Sequence, residues 1–119
     1  MDVRKLIEIL SVAEKLKNNT RHSWTSSGRQ ESVAEHSWRL ALMAYLVKDE
    51  FPDADINKVI LMCIIHDLGE AFTGDIPSFN KTDDDELTER QKLRLFLDSL
   101  PEPYREELSG LFEEIHAQE

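Results

Sequence analysis

Seven consecutive apolar residues, Val59 to Ile65, run straight into the dipeptide His66-Asp67. A run without a polar face has to be covered on every side, so the fold must be one that can enclose it. Periodicity alone leaves helix and strand open, and the β-branched content would suit a buried strand. The flanks decide for helix. Asp55 stands where a cap is needed, and Ile56 through Phe72 is long for a strand and contains no proline. The expectation is a central helix surrounded by others. A histidine and an aspartate placed at its end are costly to bury unless paired or bound to a metal, which makes the dipeptide a candidate site.

The surrounding helices are legible too. Val3, Leu6, Ile7, Leu10, Ala13 and Leu16 recur at helical spacing after Asp2, a possible cap, and before the stop Asn18-Asn19. From Asn18 to Glu31 the chain is polar, contains Gly28 and reads as a loop carrying Arg21 and Arg29. Ser32-Val-Ala-Glu35 is a capping box that opens a second helix, expected to reach Asp49, with His36 just inside its first turn. Phe51-Pro52 breaks that pattern. After Gly69, Gly74 and Pro77, a fourth pattern uses Leu87, Leu93, Phe96, Leu97 and Leu100, and a last one uses Tyr104, Leu108, Leu111, Phe112 and Ile115. No repeat and no strand is expected. The fold class is all-α, a bundle of about five helices forming one domain over residues 1–119.

Composition narrows the function. The 24 acidic against 14 basic residues give a formal net charge of −10, which repels nucleic-acid backbones and anionic membrane surfaces while leaving room for a small anionic substrate. Cys63 is the one cysteine, so no intrachain disulfide forms and a reducing compartment is expected. The first residues mix charges of both signs, unlike a signal peptide, and no stretch approaches the roughly 20 apolar residues of a membrane span. A cytoplasmic protein without a membrane partner is the expectation.

Around His66 and Asp67 stand further groups able to do chemistry. Glu70 follows His66 by four positions, Asp75 lies just beyond Gly74, and His36 is available from a second helix. Imidazole and carboxylate together suit a divalent metal such as Mn, Co, Fe, Zn or Mg. Simpler roles exist for each residue. A helix-end histidine can serve the dipole, Glu70 and Asp75 can be surface acids, Arg21 a solvated loop residue, and Trp24 and Trp38 packing residues. His22 and His116 have no partner pattern and read as structural. Asp83 to Asp85, with Glu86 and Glu89, reads as a solvated helix start.

Taken together, TRHSW, then ESVAEHSWRLALMA, then IIHDLGEAFTGDIP resemble the HD-domain phosphohydrolases, and within them the 5′-deoxynucleotidase group. The likeness runs from Leu6 to about Ile115, with the strings in order and at matching spacing. It implies an all-α fold that holds a divalent metal through His36, His66 and Asp67. It further implies Glu70 and Asp75 as catalytic acids, one handling the attacking water and the other that water or the leaving oxygen, with the assignment left open. Arg21 would contact the phosphate, with Trp24 as a second substrate-binding residue. The implied reaction removes the 5′-phosphate from a deoxynucleoside monophosphate, and the implied assembly is a homodimer.

One part of the family pattern has no match. The resemblance calls for a fourth ligand, an aspartate on a further helix, expected about a dozen residues past Glu119. The expectation is thus an HD domain lacking the family's C-terminal helix or helices, with Glu113 or Glu114 as conceivable substitutes. Two other functions fit the same residues: a non-catalytic helical metal-binding or interaction module, and an HD phosphodiesterase acting on another phosphate ester.

Overall fold

The computed structural model describes residues 1–73 and 82–117, which are predominantly helical. Helix α1 (Val3–Asn18) starts where the Asp2 carboxylate accepts from the Lys5 N–H at 2.8 Å. Strands β1 (Thr20–Trp24) and β2 (Gln30–Ser32) lead into α2 (Val33–Leu46), followed by a 3-10 turn over Lys48–Glu50. Helix α3 (Ile56–Ile65), the single-turn α4 (Glu70–Thr73), α5 (Asp83–Asp98) and α6 (Tyr104–Ala117) complete the described chain. Five helices of ten residues or more agree with the expected all-α bundle.

Capping chemistry sets several of these starts. The Ser32 hydroxyl accepts from the Glu35 N–H and the Glu35 carboxylate accepts from the Ser32 N–H, both at 3.1 Å, so the expected box is present. Asp55 accepts from the Lys58 N–H at 3.3 Å. A second box, Thr82 with Asp85, opens α5 and gives one of the acids expected as mere solvated charge a structural task.

Three expectations need correction. The polar segment between α1 and α2 forms an antiparallel hairpin, closed where Thr25 N–H reaches Arg29 O at 2.6 Å and Gly28 N–H reaches Thr25 O at 3.0 Å. Gly28 sits at φ 85°, a left-handed conformation that suits glycine. Three residues of β2 are too few to show a period-two pattern, which is why this stretch resembled a loop. Thr20 faces Ser32 and Trp24 faces Gln30, so five residues of β1 oppose three of β2, and the irregularity falls on the segment carrying Arg21.

Second, the helix expected from Ile56 through Phe72 is broken. His66 N–H still reaches Met62 O at 2.9 Å, but Leu68, Glu70, Ala71 and Phe72 each bond three residues back, at 2.9 to 3.1 Å. Tight turns therefore separate α3 from α4, and Glu70 does not lie one α-turn below His66 on a continuous face. Gly69 falls in this break, where a Cβ would stand 2.9 Å from Glu89 Cγ of α5. The close approach of α5 is what the glycine permits.

Third, among the described residues α3 is not enclosed. It packs along α2 and buries Ile65, but Ile64 is 51% exposed and Leu61 is exposed as well. The packing against α2 covers one stripe, and an all-apolar helix needs more. The core lies where several elements meet: Leu16 of α1, Val33 of α2, Ile65 at the end of α3, Leu68 and Ala71 around α4, Leu93, Leu97 and Leu100 at α5, and Phe112 of α6. Full burial of such a leucine stabilises by roughly 1.5–3 kcal/mol. Val3, Ile7 and Leu10 of α1 lie outside this core and are exposed.

Candidate metal site and substrate cleft

His36 enters from the first turn of α2, positioned by the capping box before it, while His66 and Asp67 stand where α3 gives way to the turns before α4. One ligand atom from each of the three lies within 4.8 Å of the others, and the two imidazole centroids are 6.0 Å apart. Residues expected to converge from two helices do so.

The hydrogen bonds define what this trio can bind. His66 Nδ1 lies 2.9 Å from Cys63 O, a pure acceptor, so Nδ1 carries a proton. Nε2 then faces Asp67 Oδ2 at 3.0 Å. A lone pair and a carboxylate oxygen cannot share that distance comfortably unless a proton or a cation joins them. The Asp67 hydrogen bond accordingly raises the His66 pKa above its usual value against the opposing effect of burial. Burial pushes Asp67 upward, yet the hydrogen bond and charge of His66, with His36 and Arg21, leave it lowered. His36 is held below the ordinary imidazole value by burial and then by the Arg21 charge, which favours its neutral form. Two imidazoles and a carboxylate, with one pair already needing a positive bridge, fit a divalent cation.

Beside the trio, Arg21 of β1 donates through Nη1 to Glu31 Oε1 at 3.0 Å and stands 3.1 Å from His36 Nδ1. Arg21, Trp24, Glu31 and His36 line a cleft of about 580 Å³ together with Arg39, Met43 and Leu46 of α2. Its mixed lining of cations and apolar side chains suits an anionic ligand with a flat apolar portion. Trp24 and Arg21 are thus brought to the same opening.

On the other flank, His66 and Asp67 line a second recess of about 160 Å³ with Glu70, Glu86, Glu89, Arg90 and His116. Glu70 is fixed at the start of α4, where its carbonyl accepts from Asn19 Nδ2 at 2.7 Å. Asp75 lies outside the described residues. Glu86, Glu89, Arg90 and His116 were not expected here. Spacing held a faint signal for His116, four residues beyond the buried Phe112, whose ring it meets at 6.1 Å between centroids. Of the conceivable substitute ligands, Glu114 pairs with Lys58 of α3 at 2.6 Å, and Glu113 lines a cleft between α5 and α6.

Similarity to known proteins agrees with this geometry. Residues 13–119 match the HD domain family. The chain is 31% identical to the human 5′-deoxynucleotidase HDDC2 over 119 residues, covering 97% of this chain and 57% of that protein. It is 32% identical over 97 residues to the Dictyostelium discoideum 5′-deoxynucleotidase HDDC2, covering 75% of this chain and 48% of the other. A crystal structure of a predicted metal-dependent phosphohydrolase from Magnetospirillum magnetotacticum superposes with a TM-score of 0.84 at 32% identity, covering 98% of this chain and 61% of that one. The chain spans about half to three fifths of the length of these relatives. A match across all but its first dozen residues, together with the fold and the convergent histidines and aspartate, establishes that the chain belongs to the HD domain family.

Proposed function

We propose that this chain, as a single HD domain, is a metal-dependent phosphohydrolase that removes the 5′-phosphate from deoxynucleoside monophosphates. The observation that carries this reading is the convergence of His66 Nε2 on Asp67 Oδ2 at 3.0 Å, with His36 close by and Arg21 beside it. The names of the relatives support the substrate class. His36, His66 and Asp67 would hold the metal. A divalent cation, when bound, supplies Lewis acidity toward a phosphoryl oxygen and toward water.

The chain's own groups do the rest. Arg21 takes two phosphate oxygens in its planar fork and fixes the phosphorus relative to the trio. Trp24, with Met43 and Leu46, offers the nucleoside an apolar wall. Glu70, in the recess beside Asp67, accepts the proton of the attacking water. Asp75, matched through the family resemblance alone, is the second acid, positioning that water or protonating the leaving 5′ oxygen. Incubation with Mn²⁺ or Co²⁺ and each deoxynucleoside 5′-monophosphate should release phosphate. Equal release by a His66→Ala variant would sink the assignment.

The same proposal places the protein in the cytoplasm as a homodimer. Among the described residues no helix is long and apolar enough to cross a membrane, and the lone cysteine suits a reducing compartment. Exposed Val3, Ile7, Leu10, Leu46, Phe51 and Ile64 supply apolar surface for association. A monomer mass by light scattering at micromolar concentration would contradict the dimer.

A further inference from the structure

We propose that Glu31 is a positioning residue serving the phosphate contact Arg21 and the metal ligand His36 at once, an inference that rests on the function proposed above. Glu31 Oε1 accepts from Arg21 Nη1 at 3.0 Å and lies 3.7 Å from His36 Nδ1, while that Nη1 stands 3.1 Å from the same ring nitrogen. The three atoms close a triangle with the carboxylate at one corner. The Glu31 side chain is 15% exposed, and its backbone belongs to β2 directly before the capping residue Ser32. It is therefore the best-anchored corner.

The triangle has two useful states. As described, the guanidinium can only donate, so His36 Nδ1 accepts and the neutral ring keeps its proton on Nε2. When a phosphate draws Nη1 away, the ring can carry its proton on Nδ1 instead, with Glu31 as the acceptor at hand. Nε2 is then a free donor toward a cation. Glu31 keeps Arg21 at the mouth of the cleft before substrate arrives and orients the His36 ring afterwards, so metal and phosphate each favour the other's binding.

The test uses the full chain stripped of metal. In wild type, nitrogen NMR of the arginine side chains should find rotation of the Arg21 guanidinium slowed relative to exposed Arg39 of the same cleft; equal rotation would overturn the proposal. Glu31→Gln and Glu31→Ala should release that restraint, weaken calorimetric Mn²⁺ affinity about 10-fold, and raise KM for deoxyadenosine 5′-monophosphate more than they lower kcat. A lowered melting temperature with the Arg21 restraint and Mn²⁺ affinity both intact would mean a merely structural glutamate and would also overturn it. Should the variants fail to fold, the wild-type comparison of Arg21 with Arg39 decides. A wild type that binds no Mn²⁺ and releases no phosphate refutes the proposed function instead, and the Arg21 signal still decides the role of Glu31.

Discussion

Two arginine–glutamate pairs hold the same hairpin and are built in opposite ways. At its turn end, Arg29 grips Glu35 with both terminal nitrogens, at 2.9 and 2.7 Å, and the side chains are 61% and 41% exposed. At its inner end, Arg21 meets Glu31 through one nitrogen at 3.0 Å, with exposures of 31% and 15%. The outer pair has the better geometry and the weaker consequence, because water screens it. The inner pair commits only part of its fork in a drier setting, which leaves a guanidinium able to take a ligand. Ideal pairing thus marks the strut, and incomplete pairing marks the proposed working part.

Substitutions can break or sharpen that contrast. The largest effect is expected for Arg21→Ala, which should lower kcat/KM for deoxynucleoside monophosphates by about 100-fold or more, while Arg29→Ala leaves it unchanged. Equal losses in steady-state assays would erase the distinction. Arg21→Lys keeps the charge but not the fork, so a loss of roughly 10-fold is expected, the equivalent of one charge-assisted hydrogen bond. An unaltered KM in that variant would argue that charge alone is enough.

Gly69→Ala moves the question to an uncharged contact beside the site. Its methyl would force Glu89 away, and Glu89 also accepts from Thr73 Oγ1 at 2.9 Å. A cost of about 1 kcal/mol in denaturant unfolding is expected, from the low end of overpacking penalties. A wild-type midpoint would show that α5 yields freely.

The smallest effect belongs to the outer pair. Hydrogen bonds from Arg29 and then Ser32 lower the Glu35 carboxyl to about 2. A depressed carboxyl contributes stability that is present above its unfolded value, near 4.5, and is lost as pH falls through the folded one. Circular dichroism melts of wild type and Glu35→Gln should therefore differ slightly above that window and converge as pH falls toward 2. A difference that persists at the acid end would assign the effect to something other than the ionised carboxylate.

What the sequence revealed depended on how local the cause was. The Ser32 box, the Asp2 and Asp55 caps and the apolar patterns of α5 and α6 are short-range, and each located its element directly, the caps by fixing where it starts. His36, His66 and Asp67 were identified because a resemblance ties them together, and the structure does bring them within reach of one another. Glu86 and Glu89 read as solvated acids, His116 as structural and Arg90 drew no reading, because their place in the recess follows from how α5 and α6 dock, which no local pattern records. The break after Ile65 was hidden for a similar reason: a glycine tolerated inside a helical pattern is visible, but the Glu89 side chain that requires it comes from twenty residues away. The uncovered flank of α3 shows the same limit from the other side, since an apolar run states a need for cover without naming what provides it.

The chain has two tryptophans, Trp24 and Trp38, and they are 67% and 68% exposed. Their intrinsic fluorescence in the folded state should already resemble that of indole in water, so thermal unfolding will scarcely shift the emission maximum even as the core of Leu97, Leu100 and Phe112 comes apart. The same property makes Trp24 a clean optical reporter for the cleft: a ligand that covers its ring should shift the emission to shorter wavelength, over a constant background from Trp38.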